Sequence, residues 1–186
     1  MATINGVAAE RFIFIDEAGA NLQMHPRYGR AYGGQRAMLS APYHRGNSIS
    51  MIAAISIKKI EALTYCNGAC DGQAFITFIN KFIRPILTPA HIVVMDNVAF
   101  HKSIAVKEAI ESTGAKLVHS APYSPEFNPI EEMWSKAKTL LRNASARTFS
   151  SFNKSIKRIL LAVTVSDLFG WFRHAGYLDQ DFREVL

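Results

Sequence analysis

Cysteine is nearly missing from this 186-residue chain: only Cys66 and Cys70 occur, separated by Asn-Gly-Ala, with no second pair. That excludes a disulfide-stapled secreted scaffold and leaves too few thiolates for a structural zinc site, so both are read as reduced thiols. Long apolar runs are missing as well. No stretch approaches the roughly twenty apolar residues of a membrane span, and Met1 to Glu10 lacks the charged start and apolar core of a secretory leader. The sequence therefore predicts a soluble intracellular protein with no membrane partner. Acid is the scarcer charge: 15 Asp plus Glu stand against 21 Lys plus Arg, a formal net charge of +6 that favours an anionic partner such as nucleic acid. No internal repeat, low-complexity tract or linker divides the chain, and 49% apolar residues suffice for one well-buried domain over 1–186.

Three carboxylates dominate what is present. Arg11-Phe12-Ile13-Phe14-Ile15-Asp16 and His91-Ile92-Val93-Val94-Met95-Asp96 read as short strands buried on both faces, each ending on an aspartate, with Glu17-Ala18-Gly19-Ala20 breaking the first. From Asn21 to Asn47, Gly, Pro, Arg and Tyr predict a loop with room for a strand pair. Ser48 to Ile57 and Ile60 to Cys66 predict a hairpin joined at Lys58-Lys59. Asp71 is placed to cap a helix whose inner stripe is Phe75, Phe78, Ile79, Phe82 and Ile86, ended by Pro85 and Pro89. A helix over about Ser103 to Ser112 is stopped by Gly114, and Lys116 to His119 forms another strand. Asn128-Pro129-Ile130-Glu131 opens a helix with Ile130, Trp134, Ala137 and Leu141 on its apolar face, and one or two more helices occupy Thr148 to Phe172. The fold class is α/β, a mixed sheet flanked by helices. In it Asp16 and Asp96 meet only if their strands are parallel neighbours ending at one sheet edge, where such folds place ligands.

Two carboxylates at neighbouring strand ends repel each other unless one takes up a proton or a cation intervenes. Magnesium, with manganese accepting the same oxygens, keeps positions open for water and phosphate, so two Asp and one Glu suffice for a pair of ions acting on a phosphodiester. Each residue also has a plainer reading. Asp16 and Asp96 fit strand-terminating turns, and Asn128 with Glu131 three residues on fits a capping box. Glu132 competes with Glu131 as ligand, but it stands four residues before Lys136, a ready partner. Trp134 and the Phe stripe at 75, 78 and 82 read as core, and His91 and His119 as locally hydrogen-bonded residues.

The segment Ala121-Pro122-Tyr123-Ser124-Pro125-Glu126-Phe127-Asn128-Pro129-Ile130-Glu131-Glu132-Met133-Trp134 resembles the signature around the last catalytic Glu of the mariner-related transposase superfamily, including its bacterial insertion-sequence members. Phe14-Ile15-Asp16-Glu17 resembles the segment of the first catalytic Asp, and Val94-Met95-Asp96-Asn97 with His101 that of the second. The 34 residues between Asp96 and Glu131 are the interval typical of that superfamily. The likeness runs from about Arg11 to Tyr177. It implies a ribonuclease H-like fold, catalytic and metal-binding roles for Asp16, Asp96 and Glu131, two Mg2+ or Mn2+ ions, and auxiliary roles for Asn97 and His101. It also implies cleavage of DNA at transposon ends and transfer of the 3′ hydroxyl into target DNA, generally at TA, by a homodimer on the DNA. A cytoplasmic, nucleoid-associated protein of a bacterium is the matching location.

Two departures accompany the likeness. Asp16 stands too near Met1 for the helix-turn-helix modules that precede the catalytic domain in the family, and Tyr32 stands where Trp is common. The alternatives are a catalytically silent fragment that binds DNA or a transposase subunit, and a generic ribonuclease H-like nuclease. From Met133 to Ser166 seven bases, Lys136, Lys138, Arg142, Arg147, Lys154, Lys157 and Arg158, occur without one acid, the pattern of a DNA-binding surface or of a solvated helix face. Arg27, Arg30 and Arg36, interleaved with Tyr28 and Tyr32, form a second candidate contact with a nucleic-acid backbone or an unpaired base. His101 is expected either to touch phosphate or orient a metal-bound water, or to be a polar residue at a helix entrance.

Overall fold

A computed structural model of the protein describes residues 7–43, 47–121 and 124–178. Five strands, β1 (Phe12–Asn21), β2 (Ser48–Ile55), β3 (Ile60–Asn67), β4 (Ile92–Met95) and β5 (Lys116–His119), form one sheet in the order β3-β2-β1-β4-β5. The first three strands are antiparallel neighbours, whereas β1, β4 and β5 run parallel. Antiparallel pairing accommodates the tight turn between β2 and β3, where the Ser56 hydroxyl accepts from the N–H groups of Lys58 and Lys59. Parallel pairing requires crossovers, which the helices supply.

Alternation along the strands sends two sets of side chains to opposite faces. Phe12, Phe14, Met51 and Ala53 pack under α3 (Pro129–Ala144), α4 (Phe149–Ala162) and α5 (Val165–His174) with Trp134, Phe152 and Phe172. Ile13, Ile15, Ile52, Val93 and Met95 pack against α1 (Gly72–Phe78) and α2 (Ile104–Glu111) with Phe75, Phe78 and Ile110. The mixed sheet covered on both sides is the predicted α/β class. Asp71 caps α1 by accepting from Ala74 N–H, and Ser103 caps α2. Among the described residues no helix is long and apolar enough to cross a membrane.

Three expectations need correction. β1 does not break after Asp16: residues Phe14 to Asn21 remain paired with β2, so the antiparallel ladder satisfies a Glu-Ala-Gly-Ala backbone that has little strand preference of its own. The stripe beginning at Phe75 does not run to Phe82. After α1 the chain widens into a π turn over Ile79–Ile83, and that wider turn brings Ile83 into the core and leaves Phe82 38% exposed. No strand pair forms among the described residues 22–43, where Tyr28 and Tyr32 are exposed.

Gly114 ends α2 with φ +82°, and a Cβ there would lie 2.8 Å from Pro89 Cγ. Gly114→Ala is therefore expected to destabilise the fold by about 1–3 kcal/mol. In a urea titration the midpoint should fall with the slope unchanged.

Candidate active site

Parallel pairing brings the two aspartates together. The last rung between β1 and β4 joins Ile15 to Met95, and each aspartate is the following residue. Asp16 stays within β1, opposite Ala53 of β2, while Asp96 leaves β4 at the sheet edge. Asp16 is 9% exposed. Burial is the largest influence on its carboxyl and pushes it up to about 7. A hydrogen bond from the Glu17 backbone opposes the rise, and the negative charges of Glu131, Glu17 and Asp96 add to it. Asp16 thus feels the charge of both other predicted carboxylates and of a fourth, Glu17.

Both aspartates are tied to the protein by hydrogen bonds. Trp134 Nε1–H donates to Asp16 Oδ2 at 3.0 Å in the buried interior, three residues beyond Glu131 on α3. That bond fastens the second turn of α3 to the centre of β1. Asp96 Oδ1 receives His101 Nδ1 at 2.5 Å and Val98 N–H at 3.3 Å, while His119 Nδ1–H donates to the Asp96 carbonyl at 3.0 Å. His101 Nε2 lies 2.9 Å from Glu17 Oε1, and its ring packs on Phe75 with centroids 4.3 Å apart. Burial works to lower the His101 pKa, but hydrogen bonding and charge from Glu17, then from Asp96, outweigh it and raise it overall.

Glu131 is exposed on the first turn of α3. The capping-box alternative does not form: the Asn128 side chain makes no cap hydrogen bond, and its Oδ1 is buried without a partner. Pro129 and the 3-10 turn Pro125–Phe127 set the entry to the helix instead. Glu132 does not pair with Lys136. It meets His174 Nδ1 at 3.2 Å, across a cleft of about 240 Å³ between α3 and α5 that Glu131 and Trp171 also line.

The predicted basic cluster is dispersed. Lys136 is 2.6 Å from Asp167, and this bond, followed by that from the Thr164 backbone, holds the Asp167 carboxyl down at about 2. Arg147 Nη1 donates to the carbonyls of Met24 at 3.0 Å and Leu22 at 3.5 Å, securing the root of the exposed loop. Lys154, Lys157 and Arg158 are exposed on α4, whose Phe152 packs on Tyr65 of β3, two strands from β1. Lys138 and Arg142 are partly buried on α3, and Asn97 is exposed beside Asp96. Pro122 and Tyr123 of the long motif lie outside the described residues.

His101 is buried between two carboxylates and cannot reach a phosphate. The sequence pattern points to no role for Glu17 and places Trp134 in the core. Only Trp134 carries a local signal, lying one helical turn after Glu131. Cys66 and Cys70 are free thiols, with Cys70 pushed up to about 12 by burial first and the Glu17 charge next, which disfavours its thiolate.

The donors suit a hard divalent cation: they are oxygens, they repel one another, and burial drives one of them towards protonation. Among the described residues no three His, Cys, Asp or Glu side chains are arranged to hold a metal by themselves. Magnesium is commonly held by one or two carboxylates with water and phosphate completing its shell, so the donor set fits it.

No curated protein matches the chain in sequence. Solved structures match it in shape. A pre-cleavage Mos1 transpososome is 15% identical with a TM-score of 0.75, covering 89% of this chain and 52% of that one. The mariner Mos1 paired end complex with Mg is 15% identical with a TM-score of 0.69, over 88% and 51% of the two chains. The Mos1 transposase catalytic domain with Raltegravir and Mg is 13% identical with a TM-score of 0.67, over 89% and 78%. The chain thus has the ribonuclease H-like fold and spans about half the length of the transpososome chain. A sequence model described as DDE superfamily endonuclease matches residues 11–153, a span holding both strand-end aspartates and the helix turn with Glu131 and Trp134. By that match the chain belongs to the DDE superfamily endonucleases.

Proposed function

We propose that the chain is the catalytic domain of a DNA transposase, cutting DNA strands at transposon ends and joining the exposed 3′ hydroxyl to target DNA. The observation that carries this reading is the like-charged neighbourhood of buried Asp16, which feels the carboxylates of Asp96 and the exposed Glu131 at the end of the parallel strand pair. The likeness to a Mos1 transpososome and to Mos1 paired end complexes with Mg or Mn supports DNA and a divalent cation as its partners. Asp16, Asp96 and Glu131 would hold two magnesium ions, with manganese an acceptable substitute. When bound, such ions supply charge stabilisation at the attacking and leaving oxygens of an in-line displacement at phosphorus.

The chain's own residues set the stage for that displacement. Trp134 keeps Asp16 aimed from β1, and α3 presents Glu131 one turn before it. Packing on both faces of the sheet fixes the separation of β1 and β4, so the carboxylates form one preorganised anionic edge. Exposed Lys154, Lys157 and Arg158 would follow DNA phosphates, and a homodimer would hold two ends.

Strand joining is the discriminating experiment. The chain is incubated with Mg2+, a labelled duplex with free 3′ ends and an unlabelled supercoiled plasmid. Transfer of label into plasmid is the expected result. Nicked plasmid without joined label would identify a generic nuclease, and DNA binding without cleavage or joining a silent fragment.

A further inference from the structure

We propose that Glu17 and His101 are positioning residues: Glu17 holds His101 so that its Nδ1–H fixes the Asp96 carboxylate in the pose that receives a divalent cation. This rests on the reading of Asp96 as a metal ligand. His101 has no exposed side-chain surface, so it acts only through its neighbours. Both ring nitrogens face carboxylate oxygens, Nδ1 at 2.5 Å from Asp96 and Nε2 at 2.9 Å from Glu17. An ionised carboxylate can only accept, so both nitrogens donate and the ring has no lone pair with which to act as a base.

The consequence for Asp96 is geometric. Its Oδ1 is occupied by His101 and by Val98 N–H, while Oδ2 accepts from no described residue on a side chain 40% exposed. One oxygen is anchored and the other is offered at the sheet edge. Anchoring removes rotational freedom that a cation would otherwise have to restrict on binding. Phe75 packs against the imidazole, and Glu17 fixes its far end from the face of β1 opposite Asp16. Successive residues of β1 therefore serve the site in different ways: Asp16 directly, and Glu17 through a side chain 84 residues away.

A satisfied core histidine would look similar but would not govern cation affinity. Glu17→Ala removes the acceptor for Nε2–H, whereas Glu17→Gln keeps an acceptor of nearly the same shape without its charge. Mn2+ binding to the full chain is measured by calorimetry, with circular dichroism reporting the folded state, and the Mg2+ dependence of plasmid nicking is measured alongside. Glu17→Ala is expected to weaken Mn2+ binding by about ten- to a hundredfold. The Mg2+ concentration for half-maximal nicking should rise in step while the rate at saturating Mg2+ changes little, and Glu17→Gln should fall between Glu17→Ala and wild type. If Glu17→Ala does not fold, the near-isosteric Glu17→Gln decides by the same readouts. Wild-type Mn2+ affinity in the folded variants, or a lower maximal rate with unaltered metal dependence, would overturn the positioning role alone. A wild-type chain that takes up no Mn2+ would overturn the metal reading and this proposal together.

Discussion

Asp16→Asn is expected to raise the melting temperature of the metal-free protein at pH 8 while abolishing Mg2+-dependent DNA cleavage. The two effects have one cause. In the fold the Asp16 carboxyl titrates near 7 rather than at its ordinary 3.8, because burial and three neighbouring carboxylates disfavour its charge. A carboxyl raised on folding contributes stability that is fully present below its unfolded pKa and is lost as pH climbs through its folded one. Wild type should therefore lose stability between about pH 4 and pH 7 on account of this residue and then level off. A shift of this size corresponds to at most about 4 kcal/mol, so the Asn variant should melt roughly 5 °C or more above wild type at pH 8. Below pH 4 the difference should vanish. Asn retains a carbonyl oxygen for Trp134 Nε1–H, so the variant removes the charge while keeping that bond. Added Mg2+ should stabilise wild type far more than the variant. Cleavage should fall by roughly a thousandfold or more, since the cation's transition-state stabilisation is worth several kcal/mol. Calorimetric melts across pH, with and without Mg2+, and plasmid nicking check both halves.

Trp134 substitution should have the second large effect, in two separable parts. The side chain is 1% exposed in the core under α3, and Trp134→Ala should cost about 3–5 kcal/mol, enough to bring a marginally stable domain near unfolding. Trp134→Phe keeps much of the ring but removes the N–H, leaving Asp16 Oδ2 buried without that donor at 3.0 Å. The lost bond should cost about 1–3 kcal/mol. The Phe variant should remain folded at 25 °C yet cleave DNA much more slowly than its modest stability loss would explain, because Asp16 is no longer aimed. Urea titrations together with nicking rates on the folded protein separate packing from aiming. Cleavage by Trp134→Phe at the wild-type rate would show that the indole only fills space.

Much of this arrangement is legible in the residues themselves. The runs Phe12 to Ile15 and Ile92 to Met95 announce buried strands, and the spacing of Ile130, Trp134, Ala137 and Leu141 announces the inner face of α3. The requirement that the aspartates end parallel neighbours follows from topology before any coordinate. What escapes the sequence depends on partners remote in the chain. Glu17 to Ala20 have weak strand character, and only pairing with β2 carries β1 through to Asn21. The π turn after α1 is set by packing and moves Phe82 off a stripe that ideal periodicity places inward. A run of bases counts charge but does not say which charge is already used: Lys136 is held by Asp167, and Arg147 by two carbonyls near the root of the long loop. Glu17 meets His101 across 84 residues, a contact no local pattern encodes.

Glu131 is the member of the trio whose role separates a metal-binding edge from a chance gathering of acids, because it is exposed and its capping alternative does not form. The most direct measurement is nicking of supercoiled DNA by Glu131→Gln beside wild type, in Mg2+ and in EDTA, with melting curves confirming that both are folded. The expected result is Mg2+-dependent nicking by wild type, none in EDTA, and none above background by the variant, whose metal-free melting temperature equals or exceeds that of wild type. Wild-type nicking by Glu131→Gln in Mg2+, or a wild-type rate that persists in EDTA, would contradict the assignment of these three carboxylates to one metal-dependent chemistry.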